Sequence, residues 1–231
     1  MEKLHIIRVE KMPIFEQLQL EEALLRTDSR NICLIGDGTK RAIVMGISGD
    51  AEKLIDLEST KRDQIPIIRR FSGGGTVIVD EDTLFVSFLF QKSAVDVPAF
   101  PEPLLRWSAE LYQKSWKISG FALQEQDYAI GDLKCGGNAQ YIRKDRWLHH
   151  TSFLWDYCEK NMRYLHLPSK RPKYRLDRDH SEFLCRLKEF APSKEFLIDE
   201  LKKELGRQFV LEELSLQSLS FPPHRKATQL L

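Results

Sequence analysis

The run Leu84-Phe85-Val86-Ser87-Phe88-Leu89-Phe90 is apolar at nearly every position, whichever parity is counted. Successive side chains of a strand point to opposite faces, so such a segment has to be covered on both sides. It belongs in the middle of a sheet, with strands beside it and layers above and below it. Its surroundings can supply both. Residues 31–35, 41–47, 65–70 and 76–79 have β character, and so do 128–130, 133–135, 147–157 and 209–211. Gly36-Asp37-Gly38 and Asp80-Glu81-Asp82 are turn signals between them. A helix is predicted over 15–26, with Leu18, Leu24 and Leu25 on its apolar side and Glu16, Glu21 and Glu22 on its polar one. A short helix is predicted over 51–57. A longer one has Pro103 in its first turn and Gly120 just past its end, carrying the stripes Leu104, Trp107, Leu111 and Leu105, Tyr112, Trp116. Ser193 is placed to cap a late helix with Leu197, Ile198, Leu201 and Leu205 on one face and Gly206 as its stop. The final dozen residues read as frayed. Strands in hairpin-like clusters with interspersed helices predict an α+β fold, with a mixed, largely antiparallel sheet flanked by helices. The chain, 1–231, reads as one domain, with no internal repeat.

Charge and cysteine usage narrow the function classes. Lys and Arg number 35 against 34 Asp and Glu, a net charge of +1, whereas domains held to nucleic acid by a cationic surface carry a clear basic excess. No apolar run approaches the roughly 20 residues of a membrane span, and the first residues lack a signal-peptide core. Cys33, Cys135, Cys158 and Cys185 have no CxxC spacing, so neither a disulfide framework nor a zinc site is indicated. The expectation is a cytoplasmic protein with no nucleic-acid or membrane partner. There is neither a P-loop nor a GxGxxG opening a helix.

Three segments carry possible chemistry. In Arg69-Arg70-Phe71-Ser72-Gly73-Gly74-Gly75-Thr76, consecutive glycines sit between two apolar strands. Ordering them costs much backbone entropy. Their use is close approach of N–H groups to an anion or a flat ligand, with the arginine pair as fork-shaped donors. A glycine-rich bulge with two solvated arginines is the plain alternative. In Gly131-Asp132-Leu133-Lys134-Cys135-Gly136-Gly137-Asn138-Ala139-Gln140, a lysine beside small residues can aim its ammonium into a cleft, and Asp127 upstream can pair with it or help hold a metal-bound nucleotide. The alternative is a surface lysine before a glycine turn. In Trp147-Leu148-His149-His150-Thr151-Ser152, adjacent histidines on a strand point to opposite faces and do not readily share a metal.

Arg-Arg-x-Ser-Gly-Gly-Gly-Thr-Val followed by an acidic turn and Leu-Phe-Val-Ser-Phe, then Gly-Asp-x-Lys-x-x-Gly-Asn-Ala-Gln and His-His-Thr, resembles the signature of the lipoate–protein ligase family. Two separated motifs in the right order make this a specific likeness over roughly residues 69–154. The resemblance implies the fold of the biotin/lipoyl ligases, related to class II aminoacyl-tRNA synthetases. It implies an enzyme that activates lipoate or octanoate with ATP to an acyl-adenylate, and passes the acyl group to a lysine of a lipoyl carrier domain of a 2-oxoacid dehydrogenase or of the glycine cleavage H protein. On this chain Arg70, Gly75, Thr76, Val77 and Ile78 match nucleotide-contacting positions, and Gly73 and Gly74 shape the same loop. Lys134 matches the lysine that touches adenylate phosphate and acyl carbonyl. Asp127, Asn138 and Ala139 complete the expected nucleotide site. Mg²⁺ is expected with the triphosphate, bound chiefly through phosphate oxygens. Phe71, Val77 and the 84–90 strand are candidates to line the acyl tunnel.

The departures matter. Little room is left for the C-terminal accessory domain of long ligases, which implies a separate accessory subunit for activation or the transfer half alone. Gly136-Gly137-Asn138-Ala139 and His149-His150-Thr151-Ser152 differ from the usual family runs, so the acyl pocket is reshaped. Two alternatives stand beside the ligase. An ATP-independent octanoyl or lipoyl acyltransferase would need a thiolate nucleophile, and no cysteine lies between Cys33 and Cys135. A non-catalytic carrier- or nucleotide-binding member would have no need of Arg70, the glycines and Lys134 together. Biotin ligation is the weaker option, since its glycine–arginine repeat loop is missing. The basic run from Lys170 to Arg178 is either a docking patch for an acidic carrier face or a solvated loop.

Overall fold

The computed structural model describes residues 1–167 and 171–231. In chain order the elements are β1 (Lys3–Glu10), α1 (Ile14–Thr27), β2 (Ile32–Asp37), β3 (Ala42–Met45), α2 (Ala51–Leu54), α3 (Leu57–Arg62), β4 (Ile67–Arg69), β5 (Val77–Val79), β6 (Thr83–Gln91) and α4 (Pro101–Trp116). They continue with β7 (Phe121–Gln124), β8 (Asp127–Ile130), β9 (Leu133–Ile142), β10 (Arg146–Leu154), α5 (His180–Phe183), α6 (Lys194–Leu205), β11 (Val210–Glu213) and β12 (Gln229–Leu230). Two sheets form: an eight-stranded one ordered β11-β1-β2-β6-β10-β9-β8-β7, and a four-stranded one ordered β12-β4-β3-β5. In the large sheet β1 runs parallel to β11 and β2, and the other pairings are antiparallel. This is the expected mixed sheet flanked by helices.

The two-sided run is the interior strand β6, paired with β2 and β10. Leu84, Val86, Phe88 and Phe90 face one layer, where α4 and α6 pack. Leu89 joins Leu24 and Leu25 of α1 on the other face, and Phe85 joins Ile14 and Leu18 of α1 with Val44, Ile68 and Val79 of the small sheet. Both predicted stripes of α4 lie in the first layer, around Phe88, whose ring is 5.1 Å from that of Trp107. Ser193 caps α6 by accepting from the amide of Phe196.

Several local expectations give way to tertiary packing. Glu21 and Glu22 are buried rather than solvated, and Glu16 alone of the three stays outside. The sheet covers Glu21, and the C-terminal segment covers Glu22. Gly136 and Gly137 do not turn the chain: they lie within β9, paired to β10. A Cβ on Gly136 would sit 2.6 Å from the Phe153 ring, so glycine is required by packing and not by a turn. The predicted helix over 51–57 splits at Ile55, which bridges to Leu165. The chain's end is not frayed: β12 pairs with β4 and Thr228 is buried. Strand β1, absent from the sequence reading, buries Leu4, Ile6, Ile7 and Val9.

Phe88→Ala should lower stability by about 3–5 kcal/mol, through lost burial and the cavity left among the aromatic rings. Urea unfolding checks this, with half-exposed Phe190→Ala as the near-neutral control. A loss below about 1 kcal/mol would show that this face is not the core.

Candidate active site

The expected nucleotide-site residues and Lys134 lie on one cavity of about 1040 Å³: Arg70, Gly73 to Ile78, Asp127, Lys134, Asn138 and Ala139. Its walls come from the loop after β4, the strand β5, the β8–β9 hairpin and the segment 171–184. The glycine bend and the lysine converge because β9 runs between them. A Cβ on Gly74 would lie 3.0 Å from the Asn138 carbonyl oxygen, and one on Gly137 would lie 3.4 Å from Lys134 Nζ.

Arg70 shapes the bend from inside. It is 4% exposed, and its Nη2 donates to the carbonyls of Gly73 (3.2 Å) and Gly75 (2.8 Å). Burial lowers its guanidinium to about 10, with Glu21 offsetting part of the cost, so it stays charged near neutrality. Its partner in sequence, Arg69, reaches instead toward the Gly49 carbonyl. With those carbonyls turned inward, the amide of Gly73 donates to the Gln140 carbonyl. Among the described residues the exposed N–H groups of Gly74 and Gly75 have no partner, and neither does the buried hydroxyl of Thr76 on the same wall. These are donors available to an anion.

Opposite them, Lys134 Nζ pairs with Asp127 Oδ1 at 2.7 Å, both side chains largely buried. Asp127 Oδ2 accepts from the Tyr174 hydroxyl at 3.1 Å. Burial, and then this carboxylate, push the Tyr174 hydroxyl well above its usual range, so it remains a donor. Tyr174 belongs to the basic run, whose Lys170 lies outside the described residues. Part of the run is drawn onto the site, while Arg171, Lys173, Leu176 and Asp177 stay exposed. Arg171 and Arg175 line the cavity, and Arg178 ties to Asp132 at 3.2 Å. Just beyond it, burial and the Arg175 charge lower His180 to about 4, leaving a neutral imidazole on the wall at pH 7.

Inward the cavity turns apolar, lined by Ile14, Val44, Val77, Val79 and Phe85. Of the expected tunnel residues, Val77 and Phe85 are there. Phe71 is not: it packs behind the loop against Leu24, Leu25 and Tyr141. Even-numbered β6 residues face α4. The inner wall also carries His150. Its Nδ1 lies 3.0 Å from Glu21 Oε1, and Ser87 donates to the same oxygen at 2.8 Å. Burial alone would raise the Glu21 carboxyl, but His150, Gln17 and Ser87 outweigh it and hold it low. A carboxylate only accepts, so His150 Nδ1 carries the proton. Glu21 escaped the sequence reading. The available signal was its position on the same face as Leu18 and Leu25.

The two histidines do face opposite ways. His149 is fully buried on the α4 side, with Gln140 Nε2 at 2.9 Å from Nδ1 and the Tyr128 hydroxyl at 2.7 Å from Nε2. The same Gln140 nitrogen donates to the Pro101 carbonyl, so His149 Nδ1 must accept and Nε2 must donate. Burial, then the neighbouring His150, drives His149 down to about 3. No thiol lines the cavity among the described residues. Cys135 turns away from Lys134 into the core, and Cys158 is exposed elsewhere.

The family model of the lipoyl protein ligase A/B catalytic domain matches residues 13–210. The chain belongs to this family. Among its relatives, the inactive lipoate–protein ligase 2 of Plasmodium falciparum is 29% identical over 247 residues, covering 80% of this chain and 63% of that protein. A putative lipoate–protein ligase A of Aeropyrum pernix is 27% identical over 154 residues, covering 65% and 57%. The chain thus spans less than two thirds of either relative. Among solved structures, the bi-partite lipoate protein ligase of Thermoplasma acidophilum superposes with a TM-score of 0.78 at 18% identity, covering 94% of this chain and 89% of that one. A lipoate–protein ligase A bound with ATP gives 0.74 at 20% identity, covering 94% and 91%. At that identity these two establish the shared fold.

Two outcomes test the site's geometry. Gly74 has φ +121°, and a Cβ there would meet Arg70 Nη2 at 2.6 Å, whereas one on Gly75 meets nothing within 4 Å. Gly74→Ala should therefore cost about 1–3 kcal/mol in the unliganded protein and Gly75→Ala far less; equal losses in urea unfolding would contradict this placement. His149 binds its proton less readily folded than unfolded, so stability should fall as pH drops from about 6.5 toward 3, by up to about 1.4 kcal/mol per pH unit. His149→Gln should flatten that part of the profile, and an unchanged slope would refute it.

Proposed function

We propose that this chain is a lipoate–protein ligase. In this reading it activates lipoate or octanoate with ATP to an acyl-adenylate, then transfers the acyl group to a lysine of a lipoyl carrier domain. The observation that carries the reading is the convergence on one cavity of free Gly74 and Gly75 amides, the Lys134–Asp127 pair and an apolar inner pocket. Attack of a carboxylate on the α-phosphorus builds negative charge between those amides and Lys134, where fixed donors stabilise it without reorganisation. The ammonium can leave Asp127 for the phosphate, and Asp127 then keeps Tyr174 as its donor. In the transfer half Lys134 polarises the acyl carbonyl oxygen while the neutral carrier amine attacks; the amide forms, the acyl–phosphate bond breaks and AMP leaves, the amine's proton passing to solvent. The inner pocket takes the alkyl chain and excludes water. Mg²⁺ would arrive on the triphosphate, held mainly by phosphate oxygens and water; of the cavity carboxylates Glu102, Glu125 and Asp127, Asp127 is the one beside Lys134.

The lack of a thiol on the cavity disfavours the ATP-independent acyltransferase, which needs a cysteine nucleophile. One observation favours a second reading: the Plasmodium relative is called inactive. A member of that kind would accept preformed acyl-adenylate from a separate activating subunit, or only bind its carrier. Mixing the protein with ATP, lipoate and a lipoyl carrier domain separates these cases. A ligase releases pyrophosphate and shifts the carrier's mass. A transfer-only member shifts the mass solely when acyl-adenylate is supplied, and a binder does neither. For either catalytic case Lys134→Ala should reduce carrier acylation about 100- to 1,000-fold with the fold intact. Unchanged turnover would remove Lys134 from the chemistry.

A further inference from the structure

The root of the glycine loop is held by a segment far away in sequence. Strand β4 feeds directly into Arg70, the residue that braces the bend. It is a strand of three residues, and β3 pairs with only one of its edges. A strand so short with one neighbour is marginal. The other edge is taken by β12: Gln229 and Leu230 pair with Arg69 and Ile68, and the Leu231 amide donates to the Ile67 carbonyl at 2.9 Å.

Apolar packing of Phe221 and Ala227 brings the segment near, and one buried carboxylate fixes it. Glu22 of α1 is 1% exposed. It accepts from the amides of Ala227 and Thr228, each at 2.9 Å, and from the Thr228 hydroxyl at 3.0 Å. Arg26 balances its charge at 2.8 Å. Such a carboxylate is costly to disturb, since the buried Thr228 amide and hydroxyl would be left unpaired. The ladder it anchors is short, and Leu230 and Leu231 are more than half exposed. Strong anchoring at one end and a short exposed ladder at the other describe a strap that can be released locally.

We propose that Glu22 is a positioning residue: it clamps residues 227–231 along β4 as a strap that holds the glycine loop in its binding geometry. The proposal rests on the reading of that loop as the acid- and nucleotide-binding element. An extended peptide adding to a vacant sheet edge is an established mode of recognition, so the strap should also work when supplied separately.

Three forms test it: the intact chain, a variant ending at Lys226, and Glu22→Gln. Amide hydrogen exchange without ligand is read first. Exchange over 67–76 should speed up about 10-fold or more in both variants, with β6 and β10 still protected. A synthetic peptide of residues 226–231 should restore protection to the shortened chain. Lipoate binding by calorimetry is read second, and its Kd should rise by about 10-fold in both variants and recover with the peptide, since a loosened site binds only in its ordered fraction. Unchanged loop exchange overturns the proposal. So does exchange that rises equally in β6 and β10 without peptide rescue, which would mark a merely structural role. An intact chain that binds no lipoate would instead overturn the ligase reading, and the ligand-free exchange would still judge the strap.

Discussion

A buried guanidinium organises the functional end of this molecule. Arg70 cannot be placed in the interior without acceptors, and the nearest ones are the carbonyls of the loop that follows it. Satisfying Arg70 therefore bends the loop, turns its carbonyls inward and leaves amides on the cavity side. Only glycine tolerates the result at position 74, where φ is positive and the arginine lies against the missing side chain. The bend and the arginine specify each other.

The opposing wall follows a similar economy. Lys134 is charged, largely buried and balanced by one carboxylate that is itself steadied by Tyr174. An ammonium held this way is a stored donor. Were it drawn to an anion, the carboxylate it leaves would still keep the Tyr174 hydrogen bond. The apolar floor between the walls is formed where the small sheet and α1 pack against one face of β6, so the core layer and the inner pocket share residues such as Val44 and Phe85. Changes there alter the core layer and the cavity wall together.

Much of the fold was legible because it rests on periodicity. The two-sided run predicted an interior strand, the α4 stripes predicted a helix buried against it, and Ser193 marked a helix start. The failures have a common physical origin. Gly136-Gly137 looks like a turn by composition, but the Phe153 ring across β10 needs the space, and a turn propensity cannot register a cross-strand neighbour. Glu21 and Glu22 look like a solvated face, but their acceptors are used by His150, Ser87 and Thr228, residues far along the chain. Polar residues lose little by burial when partners are supplied, and those partners are invisible to a local window.

The sequence by itself determined the layered α+β architecture and the chemical types at the site, because apolar periodicity and the cost of consecutive glycines act locally. Both motifs were legible, down to the lysine and the glycines that line the cavity. Tertiary structure alone decided which groups meet. It gave Arg70 the loop carbonyls as acceptors, set Tyr174 against the partner of Lys134, sent Phe71 into the core and laid residues 229–231 along β4. Each of these depends on burying a group beside a partner distant in sequence, and the free energy of that pairing exists only once the sheets are assembled.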